Sequence, residues 1–143
     1  IRIVTSHDGL DVLCDGPEDG ILLVAHGQLC AEALAAVDQL DSPVRVVSPR
    51  WSLPVCGGLI EEAARARAVV SVEDGLVVSG LGSHLADALS QRGMWRPIRS
   101  LGIPQRYLDH DSRSAIMAEL GLDSRGIADA VSQLVAQLDG EYS

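Results

Sequence analysis

The chain contains no lysine and no phenylalanine, and aromatic residues make up only 3% of its 143 positions. All eleven of its cations are therefore arginine, set against 20 acidic residues for a net charge of −9. The missing lysine is a composition bias and carries no functional signal. The excess of acid does carry one. Nucleic-acid binding needs clustered basic charge against phosphate, so that class is excluded, and a role at an anionic membrane surface is disfavoured for the same reason. No apolar run approaches the roughly 20 residues that cross a bilayer. The opening Ile1-Arg2-Ile3-Val4 lacks the basic, apolar and small-residue regions of a secretory signal. A cytoplasmic location is the resulting expectation, and a chain that opens without Met reads as a piece cut from a longer one.

Cysteine is also scarce. Cys14, Cys30 and Cys56 are odd in number, widely spaced and free of any CxxC pair. That argues against a disulfide scaffold and for a reducing compartment. Small buried residues are the expected role, with Cys56, just past Pro54, the most exposed of the three.

What is abundant is apolar: hydrophobic residues form 47% of the chain, enough for one domain with a core of its own. The pattern alternates strand and helix. Ile21–Ala25 is a short continuous apolar run, the mark of a strand buried on both faces. A helix follows over about Cys30–Leu40, with Leu29, Ala33, Val37 and Leu40 on one face, and Asp41-Ser42-Pro43 stops it. Val44–Val47 is the next strand, ended by Pro49. A helix around Leu59–Ala66 carries Glu61 and Glu62 near its start, where the helix dipole favours acids. Ala68–Val72 is a third strand, and the glycine-punctuated stretch Glu73–Ser83 leads to a helix with Leu81, Leu85, Ala88 and Leu89. Arg96–Leu101 reads as a further strand, Ser112–Gly121 as a capped helix, and Ile127, Val131, Leu134 and Leu138 as the buried face of the last helix. Leu10–Cys14 adds an edge strand before the turn Asp15-Gly16-Pro17, and the first eight or so residues are polar enough to fray. Such alternation predicts βαβ units with right-handed crossovers: a three-layer α/β/α sandwich around a mostly parallel five-stranded sheet. Residues 1–9 then read as a linker from a preceding domain and 10–143 as the domain itself.

Four places carry polar groups worth weighing as sites. His26-Gly27 follows a strand and opens a helix, where a phosphate can meet a helix N-terminus, but a single glycine is no dinucleotide fingerprint and a tight turn with a surface histidine is the better reading. Gly80-Leu81-Gly82-Ser83 opens another helix without the lysine or spacing of a P-loop; close packing against a neighbouring domain is preferred over anion binding. Glu73-Asp74 ends a strand as a solvated or capping pair rather than an acid–base or metal site. Arg50-Trp51 can fork a carboxylate or phosphate, yet fits an interdomain anchor better. His7, His26, His84 and His110 show no metal-ligand spacing, and no GxSxG elbow is present, so no catalytic, cofactor-binding or metal-binding residue is assigned.

The order and spacing of several short motifs add a resemblance. Val47-Ser-Pro-Arg-Trp-Ser-Leu-Pro54, then Val70-Ser-Val-Glu-Asp-Gly75, then Ser79-Gly-Leu-Gly-Ser83 together resemble the C-terminal domain of the transketolase family. The tail, Leu101-Gly-Ile-Pro-Gln-Arg-Tyr-Leu-Asp-His110 followed by Met117-Ala-Glu-Leu-Gly-Leu-Asp-Ser-Arg-Gly-Ile127, is similar to the end of the deoxyxylulose-phosphate synthases within it. The likeness runs from about Leu10 to Leu138. It departs from the family pattern at Ser48, Asp74, Ser79 and Val55–Gly58, which leaves room for a diverged paralogue with a different substrate.

That resemblance implies a homodimeric parent using thiamine diphosphate and Mg²⁺ to join pyruvate-derived carbons to glyceraldehyde 3-phosphate with loss of CO₂, feeding isoprenoid and thiamine biosynthesis. The cofactor motifs of such enzymes lie in preceding domains of the same chain. This domain is expected to bind no cofactor and to support the fold and its interfaces. His26, Gly27, Arg50, Trp51, Glu73, Gly80, Gly82 and Ser83 are the expected interdomain or anion-contacting positions. Two alternatives stay open: another transketolase-family parent (a transketolase or a 2-oxoacid dehydrogenase β chain), and a stand-alone anion-binding regulatory module.

Overall fold

The computed structural model describes residues 2–27, 29–51, 53–73, 80–102 and 123–140. Its strands are β1 (Thr5–His7), β2 (Leu10–Cys14), β3 (Ile21–Ala25), β4 (Arg45–Pro49), β5 (Ala68–Glu73) and β6 (Ile98–Gly102). Its helices are α1 (Leu29–Val37), α2 (Gly57–Arg65), α3 (Leu81–Gln91) and α4 (Ser124–Gly140). The helix expected over Ser112–Gly121, Asp74, and the part of the tail motif within residues 103–122 lie outside the described residues.

One sheet of order β1-β2-β4-β3-β5-β6 organises the domain. Strands β4, β3, β5 and β6 run parallel, while β2 joins β4 antiparallel and β1 joins β2 antiparallel. Every residue of β3 is buried, because β3 lies inside the parallel part with helices over both faces. On one face, Leu23 and Ala25 of β3, Val46 of β4 and Val70 and Val72 of β5 meet Leu29 and Ala33 of α1 and Ile127, Val131 and Leu134 of α4. On the other face, Leu22 and Val24 meet Leu59 and Ala63 of α2 and Leu81, Leu85 and Leu89 of α3. The alternation of side-chain direction along β3 thus feeds two separate cores, and the three-layer α/β/α reading holds.

Three expectations need correction. Among the described residues the sheet has six strands, not five. The extra one, Thr5–His7, lies in the stretch read as fraying linker, and its exposed Thr5 and Ser6 give no apolar alternation to reveal it. Cys56 is buried, not exposed, because it sits at the N-terminus of α2 against the second core. Glu61 and Glu62 are not first-turn acids: α2 begins at Gly57, which moves Glu62 into the helix interior, where it is only 2% exposed. All three cysteines are free thiols.

Candidate functional site

The topology singles out one end of the sheet. The connection after β3 leaves for the face that carries α1, and the connection after the neighbouring β5 leaves for the face that carries α3. In open α/β sheets a crevice opens at the carboxyl ends of two such strands, and that is where ligands gather. His26 and Gly27 lie just past β3, Glu73 ends β5, and Gly80, Gly82 and Ser83 surround the start of α3. The fold therefore brings six of the eight expected site residues to this crevice.

Their chemistry there is largely internal. Both carboxylate oxygens of Glu73 accept a hydrogen bond from the backbone N–H of Leu81, at 2.8 and 2.7 Å. Glu73 thereby occupies the N-terminus of α3, the seat an anionic ligand would need. Burial pushes its carboxyl above the ordinary value, against the Leu81 hydrogen bond and the nearby His26 and His84, which favour the charged form. Gly27 has φ +65°, and its carbonyl accepts from Cys30 N at 3.2 Å, forming the turn into α1. The tight turn preferred at His26-Gly27 fits this geometry, although the histidine expected at the surface is half-buried.

Gly82 overturns another preference. A Cβ there would collide with Ser100 Oγ and lie 2.7 Å from Ser71 Oγ, and those two hydroxyls are hydrogen-bonded to each other at 3.1 Å. The close approach this glycine permits is that of α3 to its own strands β5 and β6, not to a neighbouring domain. Gly80 precedes α3 in an extended conformation, and Ser83 lies on the exposed side of the first turn. Among the described residues, no three His, Cys, Asp or Glu side chains converge to hold a metal ion.

Arg50 and Trp51 belong to a different place, beyond the end of β4 at the antiparallel edge. Arg50 Nε donates to Asp11 Oδ1 at 3.1 Å, so its guanidinium already has a carboxylate. The hydrogen bond from Ser6 above all, then the one from Arg50 and the Arg50 charge, hold the Asp11 carboxyl below its ordinary value despite partial desolvation. Trp51 Nε1 donates to Pro54 O at 2.9 Å, closing a short loop that contains the cis Leu53–Pro54 peptide. The loop leaves Trp51 45% and Leu53 51% exposed, an apolar face on the surface.

A buried ionic cluster went unread in the sequence. Arg45 at the start of β4 grips Glu62 of α2 with two hydrogen bonds, Nε to Oε2 at 2.7 Å and Nη2 to Oε1 at 3.0 Å. His7 Nε2 reaches the same Oε1 at 3.0 Å, and Arg45 Nη1 reaches Asp15 Oδ1 at 2.6 Å. Burial works to raise the Glu62 carboxyl, but the hydrogen bonds from Arg45 and His7 and the nearby arginine charges win and hold it below the ordinary value. The one available signal was an arginine inside the otherwise apolar run Val44–Val47.

Comparison with known proteins decides the family. The profile described as the transketolase C-terminal domain matches residues 11–127. The chain belongs to that family. It is 43% identical over 139 residues to 1-deoxy-D-xylulose-5-phosphate synthase 2 of Streptomyces avermitilis, covering 94% of this chain and 22% of that protein. With 1-deoxy-D-xylulose-5-phosphate synthase of Corynebacterium glutamicum it shares 38% identity over 149 residues, 99% of this chain and 24% of that protein. The chain thus spans less than a quarter of the length of these relatives. Among solved structures, a split-gene transketolase described as an inactive beta4 tetramer superposes with a TM-score of 0.75 at 30% identity, over 91% of this chain and 43% of that one. A transketolase from Pichia stipitis matches at a TM-score of 0.64 and 16% identity, over 93% of this chain and 19% of that one, which supports the fold alone. The transketolase-type C-terminal fold is therefore established for this chain.

Proposed function

We propose that this is the C-terminal domain of a 1-deoxy-D-xylulose-5-phosphate synthase, a transferase whose other domains hold thiamine diphosphate and Mg²⁺. The carrying observation is the 38–44% identity to such synthases over nearly the whole chain. The parent would condense pyruvate with glyceraldehyde 3-phosphate, releasing CO₂, as a cytoplasmic homodimer serving isoprenoid and thiamine synthesis.

The cofactor does not fit the residues described here. The crevice at the ends of β3 and β5 presents a half-buried carboxylate, Glu73, to any incoming diphosphate, and among the described residues no acidic cluster stands ready for its metal. No chemical step is therefore assigned to this domain. Its part is to complete the fold and offer contact surface to the preceding domains, the exposed face of Trp51 and Leu53 among it. The same Glu73 geometry disfavours a stand-alone anion-binding module, because an anion at α3 would have to displace a carboxylate already bound there.

Two measurements test the proposal. The parent protein, assayed for CO₂ release from pyruvate, should depend on glyceraldehyde 3-phosphate; two-carbon transfer from a ketose phosphate instead would point to a transketolase. Titration calorimetry of this chain with thiamine diphosphate and Mg²⁺ should show no heat of binding. Micromolar affinity would overturn the division of roles.

A further inference from the structure

Strand β1 is three residues long, and Thr5 and Ser6 put no apolar side chain into the core. Its hold on the domain is instead a set of polar ties. Val4 N donates to Val12 O at 2.7 Å, Ser6 Oγ to Asp11 Oδ1 at 2.7 Å, and His7 Nε2 to the buried Glu62 at 3.0 Å. The turn that follows, Asp8-Gly9, has φ of 42° and 81°. Asp8 O accepts from Gly58 N of α2 at 3.0 Å, and Gly9 O accepts from Arg50 N at 2.9 Å.

That turn is the floor on which Trp51 lies. A Cβ at Gly9 would fall 2.6 Å from Cη2 and 2.8 Å from Cζ2 of the indole, so the ring rests directly against a backbone that only glycine leaves bare. The indole is nonetheless 45% exposed, and Leu53 stands exposed in the same loop.

We propose that β1 and its turn form a detachable strap that sets the pose of the Trp51–Leu53 face. With the strap seated, the indole has its floor and the face is presented. With the strap released, Trp51 loses that floor while the two cores, to which β1 adds no apolar side chain, stay folded. Local opening of this kind belongs to segments with few buried apolar contacts. Coupling between strap and face is reciprocal: whatever fixes one must favour the other. This inference holds whatever enzyme the domain serves.

The test uses the two tryptophans, Trp51 and the 77% exposed Trp95. In a Trp95→Phe background, His7→Ala should speed hydrogen exchange at Val4 N–H by about tenfold, the ratio that a hydrogen bond to a charged group supports. The emission of Trp51 should shift to the red and its acrylamide quenching should rise, while exchange at Val46 and Val70 is unchanged. His7→Gln, which keeps a donor toward Glu62, should restore much of both signals. In the reverse direction, Trp51→Ala should speed exchange at Val4. Faster exchange at Val4 with unaltered Trp51 emission and quenching would overturn the coupling, as would unaltered exchange at Val4 in either alanine variant. Should His7→Ala unfold the whole chain, the Trp51→Ala measurement decides alone.

Discussion

Replacing Glu62 by leucine is expected to destabilise the domain by about 3–5 kcal/mol, the usual consequence of leaving one member of a buried ion pair alone. The structure says why the full range applies. Glu62 takes two hydrogen bonds from Arg45, and the buried Arg45 would retain as its ion-pair partner Asp15, which is 75% exposed and screened by water, with Glu18 acting only through its charge. Arg45→Met should cost less than Glu62→Leu, because Glu62 would keep His7 at 3.0 Å and Arg65 at 3.6 Å. The double variant removes both charges from the interior and should lie within about 1 kcal/mol of the wild type, or above it. Urea unfolding followed by circular dichroism reads each value from the midpoint, with the slope required to stay constant. The pH dependence adds an independent check. Glu62 has its carboxyl lowered in the folded state, so its contribution is present above the ordinary carboxylate range and is lost as pH falls through the lowered value. In the double variant that acid-side loss should shrink. Single variants that each lose less than about 1 kcal/mol would place the cluster with ordinary surface ion pairs and refute the reasoning.

Glu73 should behave in the opposite sense. Burial raises its carboxyl in the folded state, so wild-type stability falls as pH rises from the ordinary value of 4.5 through the raised one. Glu73→Gln keeps an oxygen for Leu81 N and should flatten that fall, measured as melting temperature against pH; an unchanged slope would reject the assignment. Gly82→Ala should cost about 1–3 kcal/mol by overpacking α3 against β5 and β6. Adding Ser100→Ala should recover part of that loss in the same urea assay, since Ser100 Oγ is the first atom the new methyl meets.

The sequence made the parallel core legible because burial on both faces leaves a plain record. Ile21–Ala25 and Ala68–Val72 are apolar without interruption, and the last helix repeats its apolar residues at helical spacing. What escaped is what tertiary contact alone decides. Strand β1 is polar, and its ladder is made by backbone groups that are the same in every residue. Glu62 looked like a dipole-favoured acid because its partners lie 17 and 55 residues away in sequence. Gly80 and Gly82 looked alike as letters; only the position of Ser71 and Ser100 behind α3 separates them. The candidate site was legible as a location, since the carboxyl ends of β3 and β5 follow from the order of elements. Its electrostatics were legible only in part: a solvated and a capping Glu73 look alike in sequence, and only the structure puts its carboxylate, from the end of β5, on Leu81 N at the start of α3.

The antiparallel pair β1–β2 has one more consequence, for how the domain behaves in a crowded solution. Without it, the outer strand on that side would be β4, whose Val46 and Val47 are fully buried and whose backbone groups would stand open to pairing. An apolar strand with a free edge is a template for another chain, and through it for aggregation. The hairpin puts β2 across that edge, breaks the regular register between Val12 and Cys14, and ends the sheet on Thr5-Ser6-His7, a strand too short and too polar to recruit a stranger.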